Sequence, residues 1–473
     1  MTYIAQHLDD RKQSMGQGLQ KQSVKCEVES APVNSRGAES DHKIASHGTS
    51  GNVLVAKKQN SSGESQRRLR IAHVEVGGTL GGSSVCADLH LRFCDDRFEH
   101  ELLFYSLPKE RQLQCSKRHV IRDLGLPSPI IRSRFGGQTS AVRQIVGKIP
   151  IVARLATVSL RFADYVQSVP RAFKLAKIFR AGNYDLIHCN NNFNYQPATV
   201  IGAWIARKPL VAHYRTPVPL SMFDRWLGRR AKIIVAINSY VAKELADQGI
   251  SQKVIVCHDP CEQPRANRSE QLRRALLGPA STLLVGTISR LEVHKGIHLL
   301  LRAAKLLRPS WPQVRYVIVG AGSQVEALRT LAGQLQLQDC VEFTGFVPDA
   351  FEYLACLDLF VCPSYVEGGP LTVLEAMKLG KAVVTTQVGA VSEWIRDAEQ
   401  GTIVPVGDVT ALATSIGKLL MEEKTRARMG RMAALRAHQL CAPSKAAEEL
   451  DSVFSEALDG IVLNQTRSYS TNF

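Results

Sequence analysis

LDLFVCPSYVEGGPLTVLEAMKLGKAVVTT, residues 357–386, sets two short apolar runs, LFVC and AVVTT, on either side of a helical pattern. The first run stops at Pro363 and the helical pattern opens at Gly368, Gly369 and Pro370, so the stretch reads strand, glycine turn, helix, strand. Pro370 is expected at the first helical position, where its missing N–H would be unpaired in any case. A helix joining two buried strands makes them parallel, and a parallel sheet needs helices on its faces.

The same alternation runs outward from this unit. Upstream lie TLLVGTISR at 282–290, a helix from Gly296, strand YVIVG, a helix from Ser323, strand CVEF and a helix near Phe351. Downstream come a helix near Ser392, strand GTIVPV and a helix from Asp408. An earlier series starts with RLRIAHVEV at 68–76, a glycine-rich loop and a helix through Leu89 and Phe93. It continues with strands in YDLIHCN and KPLVAHY around helical ATVIGAWIA, then AKIIVAIN and a helix over 239–248. VIVCHDPCEQPRANRSE, rich in Pro and charge, reads as a linker. The expected fold is α/β, with two Rossmann-like doubly wound domains facing a central cleft, at 67–262 and 263–440, and a C-terminal helix and tail over 441–473. Ligands in such sheets sit beyond the carboxyl ends of the strands.

Composition narrows the function classes. With 45% hydrophobic and 22% charged residues, the 473-residue chain is globular rather than fibrous, repetitive or wholly disordered. Residues 1–66 are the exception: rich in Ser, Gln and Gly, with Tyr3 as their one aromatic, they are expected to form a disordered extension. No apolar stretch reaches the ~18 residues needed to span a bilayer, and residues 1–30 lack the apolar core of a secretion signal, so the expected location is cytoplasmic. Eleven Cys without a C-x-x-C pair suit reduced thiols. Cys257, His258 and Cys261 lack a second ligand pair, so no metal site is expected there.

Lys and Arg number 59 against 43 acids, a net charge of +16 that favours anionic partners. Between Arg132 and Arg180 the only acid is Asp164, and arginines recur among aliphatic residues, as in a helix lying on anionic lipid. A helix burying one face and solvating the other fits equally, and Pro150 is expected to interrupt it. Nucleic acid is not an expected partner, because no recognition motif and no interleaved aromatics accompany the charge.

Two constellations carry chemistry. Glu367 and Glu375 flank the Gly-Gly-Pro helix start, and eight helical positions would span about 12 Å, comparable to the reach from a sugar across a diphosphate to a ribose. The free amides at that helix start make a phosphate cradle. In GTISRLEVHKGIHLLL, 286–301, Arg290 and Lys295 flank a strand-to-helix loop ending at Gly296, where two cations can neutralise a diphosphate. GAGSQV at 320–325 lacks the third glycine of a dinucleotide fingerprint.

Arg290, Lys295 and Gly296, followed by Glu367 and Glu375, resemble the paired motifs of the family-four retaining glycosyltransferases of GT-B fold. The resemblance runs from about residue 69 to 422. It implies that Arg290 and Lys295 bind the diphosphate of a nucleotide-sugar donor, Glu367 the donor sugar and Glu375 the ribose. Backbone near Gly369, Leu371 and Thr372 would complete the phosphate site, Phe346 and Val347 in GFVPD would hold the nucleobase, and Gly81 and Gly82 would form the glycine loop of the first domain. His188 matches a family D-h-h-H segment, either structural or facing the acceptor. VAHYRTP departs in register, offering His213 or Arg215 at the reacting centre, with His213 alternatively a hydrogen-bonded core residue. CHDPCE stands where relatives carry an Asn-Gly hinge.

The implied activity is transfer of a sugar to a saccharide or lipid-linked saccharide acceptor in cell-envelope polysaccharide or glycoconjugate synthesis, on the cytoplasmic face of the membrane. With no D-x-D motif, no metal cofactor is expected. A nucleotide-sugar epimerase of the same architecture and an inactive anion-binding member are the rival readings.

Overall fold

The computed structural model describes residues 67–77, 82–107, 113, 115, 118–127, 150–262, 268–278 and 282–468, with 150–164 and 460–468 described by backbone alone. The extension expected over 1–66 lies outside these residues, as do Gly81 and the 132–149 part of the basic belt. Arg68–Phe473 is one compact unit holding two sheets.

The first sheet contains β1 (Leu69–Gly77), β2 (Phe98–Ser106), β3 (Val120–Asp123), β4 (Leu186–Cys189), β5 (Leu210–Tyr214), β6 (Ile233–Ala236) and β7 (Lys253–Val256). Its order is β3-β2-β1-β4-β5-β6-β7, and every pair is parallel. Its helices are α1 (Gly82–Phe93), α2 (Pro150–Ala181), α3 (Pro197–Ala206), α4 (Met222–Gly228) and α5 (Ser239–Asp247). Pro150 begins α2 instead of interrupting it, as befits a residue with no N–H to lose at a helix start, while Pro170 lies inside the helix. Ala172, Leu175 and Phe179 of α2 are buried in a cluster shared with Val200 and Ala203 of α3. The stretch read as a linker from Val254 begins inside β7, which pairs with β6.

The second lobe opens with α6 (Ser269–Leu277) and alternates β8 (Leu283–Ile288), α7 (Ile297–Leu307), β9 (Val314–Val319), α8 (Val325–Gln334), β10 (Val341–Gly345) and α9 (Ala350–Cys356). It continues through β11 (Leu359–Cys362), α10 (Leu371–Lys378), β12 (Ala382–Thr386), α11 (Val391–Trp394), β13 (Thr402–Val404) and α12 (Val409–Met421). The order is β10-β9-β8-β11-β12-β13, again all parallel. Counted within each lobe, both sheets run 3-2-1-4-5-6, the doubly wound order, the first adding β7 at its edge, with a crevice at the carboxyl ends of the first and fourth strands. In the chain these are β1 with β4 and β8 with β11.

Two helices close the unit. α13 (Glu423–Leu440) packs Ala433 and Ala437 on the second lobe. α14 (Pro443–Ser468) returns to the first, where Leu450, Val453, Phe454 and Ala457 share a core with Ile71, Leu186, Val211 and Val235. The lobes also meet directly. Asn238 caps α5 through the Val241 amide at 2.8 Å and donates its own amide to the Gly368 carbonyl at 2.9 Å. Glu393 accepts from the Tyr240 amide at 2.8 Å, so a carboxylate of one lobe faces a helix N-terminus of the other. Among the described residues no helix is long and apolar enough to cross a membrane.

Candidate active site

The crevice between β8 and β11 gathers the second-lobe motif residues. After β8, the loop turns at Gly296 with φ +64°, and a Cβ there would stand 2.1 Å from the Pro363 carbonyl oxygen at the end of β11. Only glycine allows that approach. The Tyr365 amide then bonds the His294 carbonyl at 2.7 Å, zipping the two loops together. The result places Lys295 Nζ 2.6 Å from Glu367 Oε1, which also accepts from Ser364 Oγ at 2.8 Å. Their side chains are 18% and 12% exposed, so the pair is partly open to solvent and reachable by a ligand. Arg290 stands exposed on the same loop. Burial, reinforced by the Lys295 charge, lowers the pKa of His294 and keeps it neutral.

The glycine turn presses against the first lobe. A Cβ on Gly368 would lie 2.0 Å from the Arg215 carbonyl oxygen, so a side chain here would separate the lobes. Pro370 is the N-cap rather than the first helical residue, and α10 starts at Leu371 with no side chain capping it. The Leu371 and Thr372 amides, at the first two helical positions, lack intrahelical partners and suit an anion. Because Glu367 precedes the helix, the 12 Å helical estimate does not apply to the two glutamates. Glu375 is half-buried on α10, within electrostatic reach of Cys86, Cys261 and Cys441 where the lobes join. Phe346, 68% exposed, follows Gly345 at the end of β10, while Val347 packs on the core.

At the opposing crevice, Gly82 opens α1 beside Leu371, whose Cδ1 would stand 3.0 Å from a Cβ at Gly82. Glu75, at the end of β1, is buried and accepts from Asn190 Nδ2 at 2.7 Å. Burial pushes its carboxyl upward, opposed by Asn190 and Arg215. Arg215 is itself buried, paired with Asp259 and donating to Asn190 through Nε at 3.1 Å and Nη2 at 3.0 Å. Its guanidinium thus spans the strand ends, neutralised by the CHDPCE segment. His213 takes the core geometry: 4% exposed, it lies 3.0 Å from His188 Nε2 through Nδ1. His188 is likewise buried, so neither ring opens to solvent.

Sequence reasoning missed Glu75, Asn190, Asn192 and Asp259. Asn192 Oδ1 accepts the Arg215 amide at 2.7 Å and fixes the loop after β5. The signals were present, Glu75 just before the glycine loop and Asn190 to Asn192 just after β4, both at switch-point strand ends.

Two parallel doubly wound sheets joined across such paired crevices define the GT-B class. The chain belongs to glycosyltransferase family 4: that family's model matches residues 99–261, and the glycosyl transferases group 1 model matches 268–436. It is 32% identical over 222 residues to WcaL of Escherichia coli, assigned to colanic acid biosynthesis, covering 45% of this chain and 52% of WcaL. It is 28% identical over 231 residues to the amylovoran biosynthesis glycosyltransferase AmsK of Erwinia amylovora, covering 47% of this chain and 54% of AmsK. The chain thus spans about half the length of these curated relatives. Anabaena HepE, solved with UDP and glucose, shares the fold with a TM-score of 0.65 at 20% identity, over 82% of this chain and 100% of HepE.

Proposed function

We propose that this chain transfers a sugar from a nucleotide-diphosphate donor to a saccharide or lipid-linked saccharide acceptor in cell-envelope polysaccharide synthesis, with retained anomeric configuration. The observation that carries the reading is the Lys295–Glu367 pair, held at 2.6 Å beside the uncapped start of α10. A diphosphate entering there would draw Lys295 away from Glu367, freeing the carboxylate for the donor sugar. Arg290 and the Leu371 and Thr372 amides would stabilise the departing phosphate. Glu375 would take the ribose hydroxyls, and the Phe346 and Val347 loop the base. WcaL and AmsK, named for colanic acid and amylovoran biosynthesis, support the product class, and HepE with UDP and glucose supports the donor class.

In the proposed step the acceptor oxygen bonds the anomeric carbon on the face from which the phosphate leaves. The bond from that carbon to the phosphate oxygen breaks, and the acceptor proton passes to the departing phosphate. Arg290, Lys295 and helix amides supply the positive field, so transfer is expected without a metal. Contact with an anionic membrane through 132–180 is part of the same reading. Val166, Val169 and Phe173 of α2 are exposed, and Lys174 and Lys177 beside them add cationic charge, which supports lipid contact.

The test is a thermal-shift and turnover screen against UDP, GDP, ADP and their sugar conjugates, with Glu375→Ala in parallel. One responding nucleotide, lost in the variant, is the expected result. No response to any of them, or transfer that EDTA abolishes and magnesium restores, would overturn the donor site or its metal independence respectively.

A further inference from the structure

One face of the first sheet carries a histidine on each of four neighbouring strands: His100 on β2, His73 on β1, His188 on β4 and His213 on β5. His90 of α1 and Asp451 of α14 cover them. His73, His90, His100 and Asp451 are all at most 3% exposed. The donor atoms of the three histidines lie within 4.8 Å of one another. His73 Nε2 is 2.9 Å from His100 Nδ1, and His90 Nε2 is 3.5 Å from Asp451 Oδ1. Neither ring nitrogen of His90 has a hydrogen-bond partner, nor does His100 Nε2 or Asp451 Oδ1.

Buried polar atoms are rarely left so, and the facing His90 Nε2 and Asp451 Oδ1 ask for a shared partner. A tetrahedral ion with bonds of ~2.0–2.1 Å sets its donors about 3.3 Å apart, a spacing that the 2.9 and 3.5 Å separations bracket. We propose that His73, His90 and His100, with the Asp451 carboxylate as fourth donor, form a buried site for a divalent transition metal. Imidazole-rich donor sets select zinc, cobalt or nickel over magnesium or calcium.

The surroundings orient two of the ligands, His73 and Asp451, in the manner of such sites. His73 Nδ1 lies 2.9 Å from His188 Nδ1, and His188 Nε2 lies 3.0 Å from His213 Nδ1. With His73 donating to His188 and His188 to His213, each ring carries its proton away from the site, leaving the His73 Nε2 lone pair turned toward it. The second Asp451 oxygen accepts the Asp95 amide at 2.9 Å. Ligands from β1, α1, β2 and α14 make the ion a clasp between α14 and the first lobe, distinct from the donor crevice. Ligands at positions 73, 90, 100 and 451 follow no ligand motif, which is why the sequence carried no sign of the site. Cys257, His258 and Cys261 form no such group among the described residues.

The test uses the full chain, stripped with chelator and dialysed against cobalt(II) or zinc(II) alone. Expected are one metal per chain, the visible bands of tetrahedral cobalt, and a melting temperature several degrees above that of the stripped protein. His90→Leu removes two orphaned nitrogens, so when stripped it should melt no lower than stripped wild type, yet lose the cobalt bands and the zinc shift. His438→Gln, at an exposed histidine, should behave as wild type. Failure of wild type to take up either metal would overturn the site, as would uptake that survives His90→Leu or vanishes in His438→Gln.

Discussion

The two lobes repeat one topology, yet they hold their polar groups in opposite ways. In the second lobe, Lys295 and Glu367 sit on loops at the rim of the sheet, partly exposed and bonded to each other in a form that a ligand can exchange. In the first, His73, His188 and His213 lie within the strands, fully covered, each bonded to its neighbour. Groups on loops are free to meet a substrate, while groups inside strands are committed to one another. The same sheet order thus gives one lobe an open polar rim and the other a polar seam beneath a helix.

The comparison can be tested by asking which half each substitution damages. Phe454→Ala strikes the seam's cover: the ring is fully buried against His188 and His73, and its loss should cost about 3–5 kcal/mol in denaturant unfolding. Donor affinity measured below the melting transition should stay unchanged. Lys295→Ala strikes the rim: kcat/KM for transfer should fall by about 10²–10³ with little change in melting temperature. A large stability loss there would erase the contrast between the lobes.

Acid separates the two regions next. Burial keeps His90 neutral down to about 3 and His100 down to about 2, and it lowers His73, His188 and His213 as well. The unfolded chain therefore binds more protons, and stability of the metal-stripped protein should fall as pH drops below about 6.5, by about 1.4 kcal/mol per unit for each such histidine. Asp451, raised to about 6 by burial, acts oppositely and loses stability as pH rises through the range from about 4 to 6. Two raised carboxyls, Asp451 and Glu75, against five rings still leave net acid lability, measurable as urea midpoints at pH 7 and 5. The smallest effect is expected from Asn238→Ala, which removes a helix cap and the 2.9 Å bond to Gly368 at a cost of about 1 kcal/mol. It should also raise the donor KM by loosening the turn below Glu367.

The second lobe was legible because its strands are short apolar runs punctuated by glycine and proline, and Arg290, Lys295 and Glu367 follow one another along two loops. The first lobe was legible only in part. β2 reads FEHELLFYS, and its polar residues find partners far along the chain: Arg70 and Tyr184 for Glu101, His73 for His100. Local pattern cannot anticipate a partner 83 positions away. The histidine seam was hidden for the same reason, since a row across strands places one residue in each of several distant segments. Arg215 was found as a site candidate but not as a partner of Asp259, because the segment supplying that carboxylate looked like a linker.

Phe454 fills the face of β1, β4 and β5 from the far end of the chain. On a ribosome adding about 5–20 residues per second, that ring emerges tens of seconds after Ile71. Throughout that interval the second sheet can complete itself while the apolar side of the first waits uncovered. The lobe made first is the last to be sealed, so damage to α14 is expected to surface as aggregation of nascent chains before any loss of catalysis.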